Sequence, residues 1–404
     1  MRTGLGRAVV RERAGDLIQL GLLVEDGLGA STGGRPPRQL SFNAGSGRVL
    51  VADLGATSID VALADLHGGI LAHRTEVADI AAGPERILAR VEALMDEVAR
   101  DEREAPHGVG VGLPGPVEFS VGRPAAPPIM PGWDDYPVRR RLEARFGAPV
   151  WVDNDVNVMA LGEWRAGVAR SQQNVVYLKI GTGIGAGLIS NGRLHRGFQG
   201  SAGDVGHIQI SDDAIVCRCG NVGCLEALAG GQALARDGEG LARSGESTLL
   251  ADVLRELGTV TARDVAEAAA RGDAASVALL ERSAHYVGRM LATVVNLFNP
   301  SMIVIGGGVA TAGDRYLATI RQTVYRRSLP LATRSLQIVP SGLGPMAGVV
   351  GAAAMVADEL FSLKQLAGTL ARHAALGAGA GYLEGRTTRA EGAPEPVGSG
   401  PIPA

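Results

Sequence analysis

Lysine is nearly missing from this 404-residue chain: Lys179 and Lys364 are the two among 39 lysines and arginines. Cysteine is confined to one place, with all three, Cys217, Cys219 and Cys224, inside the stretch CRCGNVGC. Aromatic residues make up only 4%. No apolar run reaches the roughly 20 residues that span a bilayer, and the early arginines are not followed by the apolar core of a signal peptide. A cytoplasmic protein is therefore expected. Thiols stay reduced there, so clustered cysteines point to metal ligation or redox chemistry rather than to disulfides. The preference for arginine over lysine carries no functional reading. What is present is ordinary for a soluble globular chain, 46% apolar and 20% charged with a net charge of −3. The length exceeds what one core usually serves, so two large lobes with appendages are expected.

Residues 1–48 hold seven arginines against four acids, a local positive balance that suits a polyanionic partner. Val10, Ala14, Leu17 and Ile18 fall at helical spacing, with Arg7 and Arg11 on another face and Gly21 as the stop. LLVEDG and RQLSF then alternate like two strands around the basic tip GASTGGRPPR, which contains Arg35. Helix followed by basic hairpin is the second half of a winged helix-turn-helix, in which the helix enters the major groove and the wing reaches a phosphate or the minor groove. An arginine-faced surface helix is the alternative. The helices that precede a recognition helix are expected to be missing, because the chain begins at Met1.

From Val49 the pattern becomes strand and helix alternation. RVLVADLGATSIDVALADL reads as a hairpin in which Asp53 closes the first strand and Gly55 to Ser58 make the turn. Small residues at Gly55 and Thr57 let backbone N–H groups approach phosphate, and an acid holds Mg²⁺ through water. VVYLKIGTGIGAGLISNG repeats the pattern, with Gly181, Thr182 and Gly183 at its bend. A third glycine run, Gly306, Gly307 and Gly308, ends the strand SMIVIGGG and suits either an adenosine contact or a plain tight turn. Between the first two hairpins, WVDNDVNVMALGEW places Asp155 at the end of an apolar strand, where it can take a proton from a bound hydroxyl or begin a helix as a cap.

GDVGH at 203–207 stands just ahead of the cysteines. His207, Cys217, Cys219 and Cys224 make a Cys₃His set suited to tetrahedral zinc, with Gly220 and Gly223 letting the loop fold back. All four positions are filled, so the expected zinc is structural. The C-x-C spacing is not the C-x-x-C of disulfide exchange.

Together these motifs resemble the ROK family of repressors, open reading frames and kinases, from about Thr3 to about Leu360. The resemblance implies an α/β, actin-like (ribonuclease H-like), two-lobed fold with a zinc loop. In members that are enzymes it implies ATP- and Mg²⁺-dependent phosphorylation of a hexose or N-acetylhexosamine at its 6-hydroxyl. By position, Asp155 would be the general base, and Asn154 and Glu226 would bond sugar hydroxyls. Asp204 stands where the family usually has Glu, and His207 would bind zinc with one side and face the sugar with the other. TGLGRAVV and STGGRPP resemble the recognition helix and wing of the family's regulators.

Three departures favour that branch. Ala56 in DLGATS adds a methyl where phosphates need close backbone approach. Ile129 in PPIMPGW replaces an Asn that bonds a hydroxyl, and Asp204 is one methylene short. The expected organisation is a partial winged helix-turn-helix at 1–47, a first lobe at 48–165, a second lobe with the zinc loop at 166–362, and a disordered Ala-, Gly- and Pro-rich tail at 363–404. Residues 231–285 read as amphipathic helices capping the second lobe. The expected function is a sugar-responsive transcriptional regulator, a dimer or tetramer acting on operator DNA under a sugar or sugar-phosphate effector, with an ATP-dependent sugar kinase as the alternative.

Overall fold

A computed structural model describes residues 6–28 and 38–387. The tip of the proposed wing, with Arg35, lies outside the described residues.

Helix α1 (Arg7–Gln19) gives way at Gly21, whose φ of +75° turns the chain into strand β1 (Leu23–Leu28). Strand β2 (Arg38–Phe42) pairs antiparallel with it, Leu23 opposite Phe42. The helix and hairpin are as expected, but the helix packs differently from the apolar stripe read in the sequence. Val9, Val10 and Ile18 are exposed, whereas Leu17, Leu20 and Leu22 join the apolar cluster that contains Val49 and Val51 of the first lobe. Only the C-terminal turn of α1 reaches that lobe, so the rest of the stripe has nothing to pack against among the described residues. Phe42 adds an edge-on contact to Phe361 at 5.2 Å.

The first lobe is a five-stranded sheet in the order β5-β4-β3-β6-β9. It is built from β3 (Arg48–Leu54), β4 (Ser58–Asp65), β5 (Ile70–Val77), β6 (Gly108–Leu113) and β9 (Val150–Asn154), with a small hairpin of β7 (Val117–Glu118) and β8 (Arg123–Pro124) beside it. β3 and β4 form the antiparallel hairpin, and β3, β6 and β9 run parallel. Every residue of β6 is buried, as expected of parallel strands covered on both faces. Helices α2 (Pro84–Val98) and α3 (Val138–Phe146) precede α4 (Asp155–Arg165), which starts directly from the end of β9.

The second lobe repeats the plan, in the order β12-β11-β10-β13-β14, from β10 (Val175–Ile180), β11 (Ile184–Ser190), β12 (Arg193–Leu194), β13 (Met302–Gly306) and β14 (Gln337–Pro340). Between β12 and β13 come the cysteine loop, α5 (Leu225–Ala229), α6 (Gly231–Ser244), α7 (Thr248–Leu257), α8 (Ala262–Ala270) and the long α9 (Ala274–Phe298). Ser247, Thr261 and Asp273 cap α7, α8 and α9 through their side chains, which divides this apolar region into separate helices. The expected helical cap on this lobe is therefore present. Helices α10 (Asp314–Arg327) and α11 (Pro330–Thr333) complete it.

The chain after the second lobe departs from the sequence reading twice. Helix α12 (Ala347–Leu360) returns to the first lobe: Val349, Ala352, Ala353 and Val356 share a core with Val49 and Val51 of β3. It crosses α4 at glycine contacts, where a methyl on Gly351 would lie 1.6 Å from the Val158 carbonyl oxygen. Residues 363–404 were expected to be disordered, but α13 (Leu366–Thr387) is helical. Alanine favours helix strongly, and polar side chains fasten this segment. Arg372 donates to the carbonyls of Gly147 and Pro106 at 2.7 and 2.9 Å, and Thr369 to Leu360 at 2.7 Å. Among the described residues no helix is long and apolar enough to cross a membrane.

Candidate functional site

The site forms where the ends of the two sheets approach one another. Asp53, near the end of β3, is 8% exposed, and Asp155, the first residue of α4, is 4% exposed. The two acids flank the same glycine: a methyl on Gly112 would lie 2.5 Å from Asp53 Oδ1 and 3.4 Å from Asp155 Cα. Asp53 Oδ1 has no hydrogen-bond partner among the described residues. Burial pushes the Asp53 carboxyl up to about 7, with Asp155 and Asp60 adding to the rise and Lys179 opposing it.

Lys179, in β10 of the other lobe, crosses to this pair. Its Nζ donates to Asp155 Oδ2 at 2.6 Å. Burial alone would lower its basicity, but the carboxylates of Asp155 and Asp53 raise it overall, so the ammonium stays charged. A methyl on Gly181 would touch the Lys179 stem at 3.4 Å, so the lysine also runs beneath the second glycine turn. The sequence reading did not single out Lys179. Its signal was a charge inside the otherwise apolar strand VVYLKI of a chain almost devoid of lysine.

Asn154 takes the capping role that the sequence offered to Asp155 as its alternative. Its Oδ1 accepts from the N–H groups of Val156 and Asn157 at 2.9 and 3.3 Å, and its Nδ2 donates to the carbonyls of Gly115 and Leu113 at 3.0 and 3.5 Å. With all four valences engaged on the backbone, Asn154 aims Asp155 and has none left for a sugar hydroxyl in this arrangement. Beneath it a second pair escaped the sequence reading. Arg196 donates to Asp153 at 2.7 Å, Asn157 donates to the same carboxylate at 2.8 Å, and the guanidinium lies 3.8 Å from the centre of the Phe119 ring. These partners are far apart in sequence, and no local motif announces them.

The glycine turns are tightly tied to the protein. Gly55 N–H donates to the Ser58 carbonyl at 2.9 Å, and the Thr57 carbonyl accepts from Ala78 at 3.1 Å. In the second turn Gly181 N–H donates to Gly183 O at 2.9 Å, and the carbonyls of Gly181 and Thr182 accept from Gly231 and Gln232 at 2.8 and 3.2 Å. Glu226 sits against this turn: Ile184 N–H donates to it at 3.0 Å, and a methyl on Gly183 would fall 2.2 Å from the carboxylate. Gly306 and Gly307 have reasons of their own to be small, because methyls there would lie 2.0 Å from the Tyr177 hydroxyl and 2.4 Å from the Ile180 carbonyl oxygen. Gly308 follows in the same turn. Ile129 packs against the core of the first lobe.

The four expected metal ligands converge. One ligand atom from each of His207, Cys217, Cys219 and Cys224 lies within 4.8 Å of every other. Cys219 and Cys224 sulfurs are 3.8 Å apart, and Cys217 Sγ is 3.5 Å from His207 Nδ1. A zinc tetrahedron with Zn–S near 2.3 Å has edges of about 3.8 Å, so the donor set fits the ion. Gly223, at φ +67°, permits the fold-back, since a methyl there would meet Ser211 O at 1.9 Å. Burial pushes the Cys217 thiol up, and burial with the adjacent thiols pushes Cys224 up to about 12. His207 Nε2, on the far side of the ring, lies 3.9 Å from Asp204.

A two-lobed α/β protein with paired five-stranded sheets, a lobe-bridging carboxylate and a histidine–cysteine loop belongs to the sugar-kinase-like class. The model of the ROK family matches residues 49–359, and the chain belongs to that family. A putative xylose repressor of Caldicellulosiruptor sp. (strain Rt8B.4) is 33% identical, over 89% of this chain and 90% of its own. Among solved structures, a ROK family transcriptional regulator described as a homolog of the E. coli MLC protein covers 92% of this chain and 91% of its own, at 28% identity and TM-score 0.77. The ROK family glucokinase of Streptomyces griseus, in complex with glucose and AMPPNP, covers 76% of this chain and 99% of its own, at 30% identity and TM-score 0.68.

Proposed function

We propose that this chain is a sugar-responsive transcriptional repressor whose interlobe site binds the effector and whose N-terminal head reads operator DNA. One observation carries the reading: the likeness to the regulators extends over about nine-tenths of each chain, whereas the glucokinase is matched over its whole length and leaves about a quarter of this chain unaccounted for.

The sugar lies between Asp155 on one lobe and, on the other, the loop carrying Asp204 and His207 together with Glu226 of α5. Asp155 accepts a hydroxyl proton in a hydrogen bond, and Glu226, aimed by Ile184 N–H, accepts a second. Asp155 is 4% exposed, so the lobes part for a sugar to enter and close on it afterwards. An effector shifts that equilibrium only by its difference in affinity between the two states. His207, Cys217, Cys219 and Cys224 would hold a structural zinc that fixes the loop, leaving His207 Nε2 on the Asp204 side of the ring.

Closure is felt at the head because the head is fastened to the first lobe through Leu17, Leu20, Leu22 and Phe42. Arg7 and Arg11 on α1, with Arg35 in the wing, contact operator DNA, and pairing of two chains matches a two-fold operator.

The glucokinase likeness favours a second reading, an ATP-dependent sugar kinase with Asp155 as general base. The Lys179 ion pair weighs against it, because a carboxylate that already neutralises an ammonium is a poorer acceptor for a substrate proton. Fluorescence anisotropy with DNA from upstream of the protein's own gene, with and without D-xylose or D-glucose, tests the repressor reading. Sugar-dependent release without ATP is expected, and an absence of any DNA binding contradicts it.

A further inference from the structure

We infer that the ammonium of Lys179 occupies the place of a divalent cation between Asp53 and Asp155, making this a sugar site that is neutral without metal or nucleotide. The inference rests on the repressor reading above and concerns the same site.

In an ATP-using member of this fold, an acid in the position of Asp53 holds magnesium beside the nucleotide phosphates, and an acid in the position of Asp155 stays free to accept a proton. Here both acids border Gly112, and one of them is bonded at 2.6 Å to a cation delivered by the chain itself. The lysine stem passes under the Gly181 turn, which is where phosphates would have to lie. An ammonium and a magnesium ion within a few ångströms of each other repel strongly in a site this dry, and Asp155 is already shared with the ammonium. Asp53 Oδ1, though buried and without a hydrogen-bond partner, is hemmed in: methyls on Gly112 and Gly348 would lie 2.5 Å from Asp53 Oδ1 and 1.8 Å from Asp53 Oδ2. Magnesium, which keeps several waters when bound, would need the space that the Lys179 ammonium takes beside Asp155. The residues present do not fit magnesium–nucleotide.

A neutral hydroxyl is a different matter. Asp155 Oδ2 has lone pairs beyond the one taken by Lys179, so it accepts from a sugar while the ion pair persists. Lys179 is thus a specificity-determining residue, retaining sugar recognition and excluding the second substrate of a kinase.

Manganese(II), an EPR-visible substitute for magnesium, tests this when titrated into the full chain alone and with AMPPNP. The unaltered protein is expected to show no stoichiometric site below millimolar manganese. Lys179→Met is expected to gain one, at least tenfold tighter, and the double variant Lys179→Met/Asp155→Asn to lose it again. A stoichiometric micromolar site in the unaltered protein overturns the inference, as does a folded Lys179→Met that gains none. If Lys179→Met fails to fold, a native-like melting temperature in the double variant supports the charge role, and equal failure of both overturns it. Operator binding and sugar release on the same samples separate the two claims. Absent sugar response with no manganese site removes only the repressor reading, manganese binding with an intact sugar response removes only the present inference, and ATP turnover by the unaltered protein removes both.

Discussion

His373 of α13 stands 2.8 Å from His107, which directly precedes β6, and its other nitrogen donates to the carbonyl of Leu20 at 2.8 Å. A carbonyl can only accept, so Nε2 of His373 carries a proton. With that ring neutral, its Nδ1 accepts from Nε2 of His107, which leaves His107 Nδ1 as the buried acceptor without a partner. A single side chain of α13 thus ties the end of α1 to the first lobe.

Removing that tie should loosen the head before it harms the lobes. His373→Ala leaves the Leu20 carbonyl without its donor, at a cost of about 1–3 kcal/mol. Limited proteolysis should cut near α1 at least tenfold faster in the variant, and operator affinity should fall while sugar affinity holds. Unchanged proteolysis would show that the contact fixes nothing.

His107 should make stability depend on acidity. Burial, then the neighbouring His373 ring and the Arg372 charge, lower it from 6.5 to about 4. Between those values the unfolded chain binds the extra proton, so the contribution is complete above pH 6.5 and is lost as pH falls toward 4. It amounts to roughly 3 kcal/mol at most. Urea unfolding of the unaltered protein and of His107→Gln at pH 4.5 and 7.5 should show a flatter profile in the variant.

Asp53 works in the opposite direction. Its carboxyl rises from 3.8 to about 7, so the folded state holds a proton that the unfolded chain has released. Its destabilising effect grows as pH rises from about 4 to 7 and is constant above. Asp53→Asn should therefore be more stable than the parent at pH 8 by roughly 4 kcal/mol, with little difference near pH 4. Equal stabilities at pH 8 would mean that Lys179 compensates Asp53 fully.

The cysteine loop should be metal-dependent. One zinc per chain is expected by elemental analysis, none in Cys224→Ser, and chelation should lower the melting temperature by about 5 °C or more. No zinc in the unaltered protein would remove the loop's proposed role in aiming His207.

The parts of the site that were legible in the sequence are those written in contiguous residues. The two glycine hairpins, Asp155 at a strand end and the histidine with three cysteines each form a local pattern with its own chemistry. Lys179, Arg196 and His373 were not legible, because each acquires meaning only from a partner on a distant strand or helix. The error at α13 is of another kind: Ala- and Gly-rich composition marks both a flexible tail and an easily formed helix, and the decision between them came from where Arg372 and His373 find acceptors. The exposed Val9 and Val10 show the converse limit. Helical spacing identified α1 but could not reveal which turn of it meets the lobe.

The most direct test of the whole account pairs two readouts on one preparation: release of bound operator DNA on adding D-xylose or D-glucose, and consumption of ATP with the same sugars. Release by a sugar in nucleotide-free buffer, with no ATP consumed, is the predicted result. Sugar-dependent ATP consumption abolished by Asp155→Asn, with no DNA bound, would contradict it and make the chain a kinase.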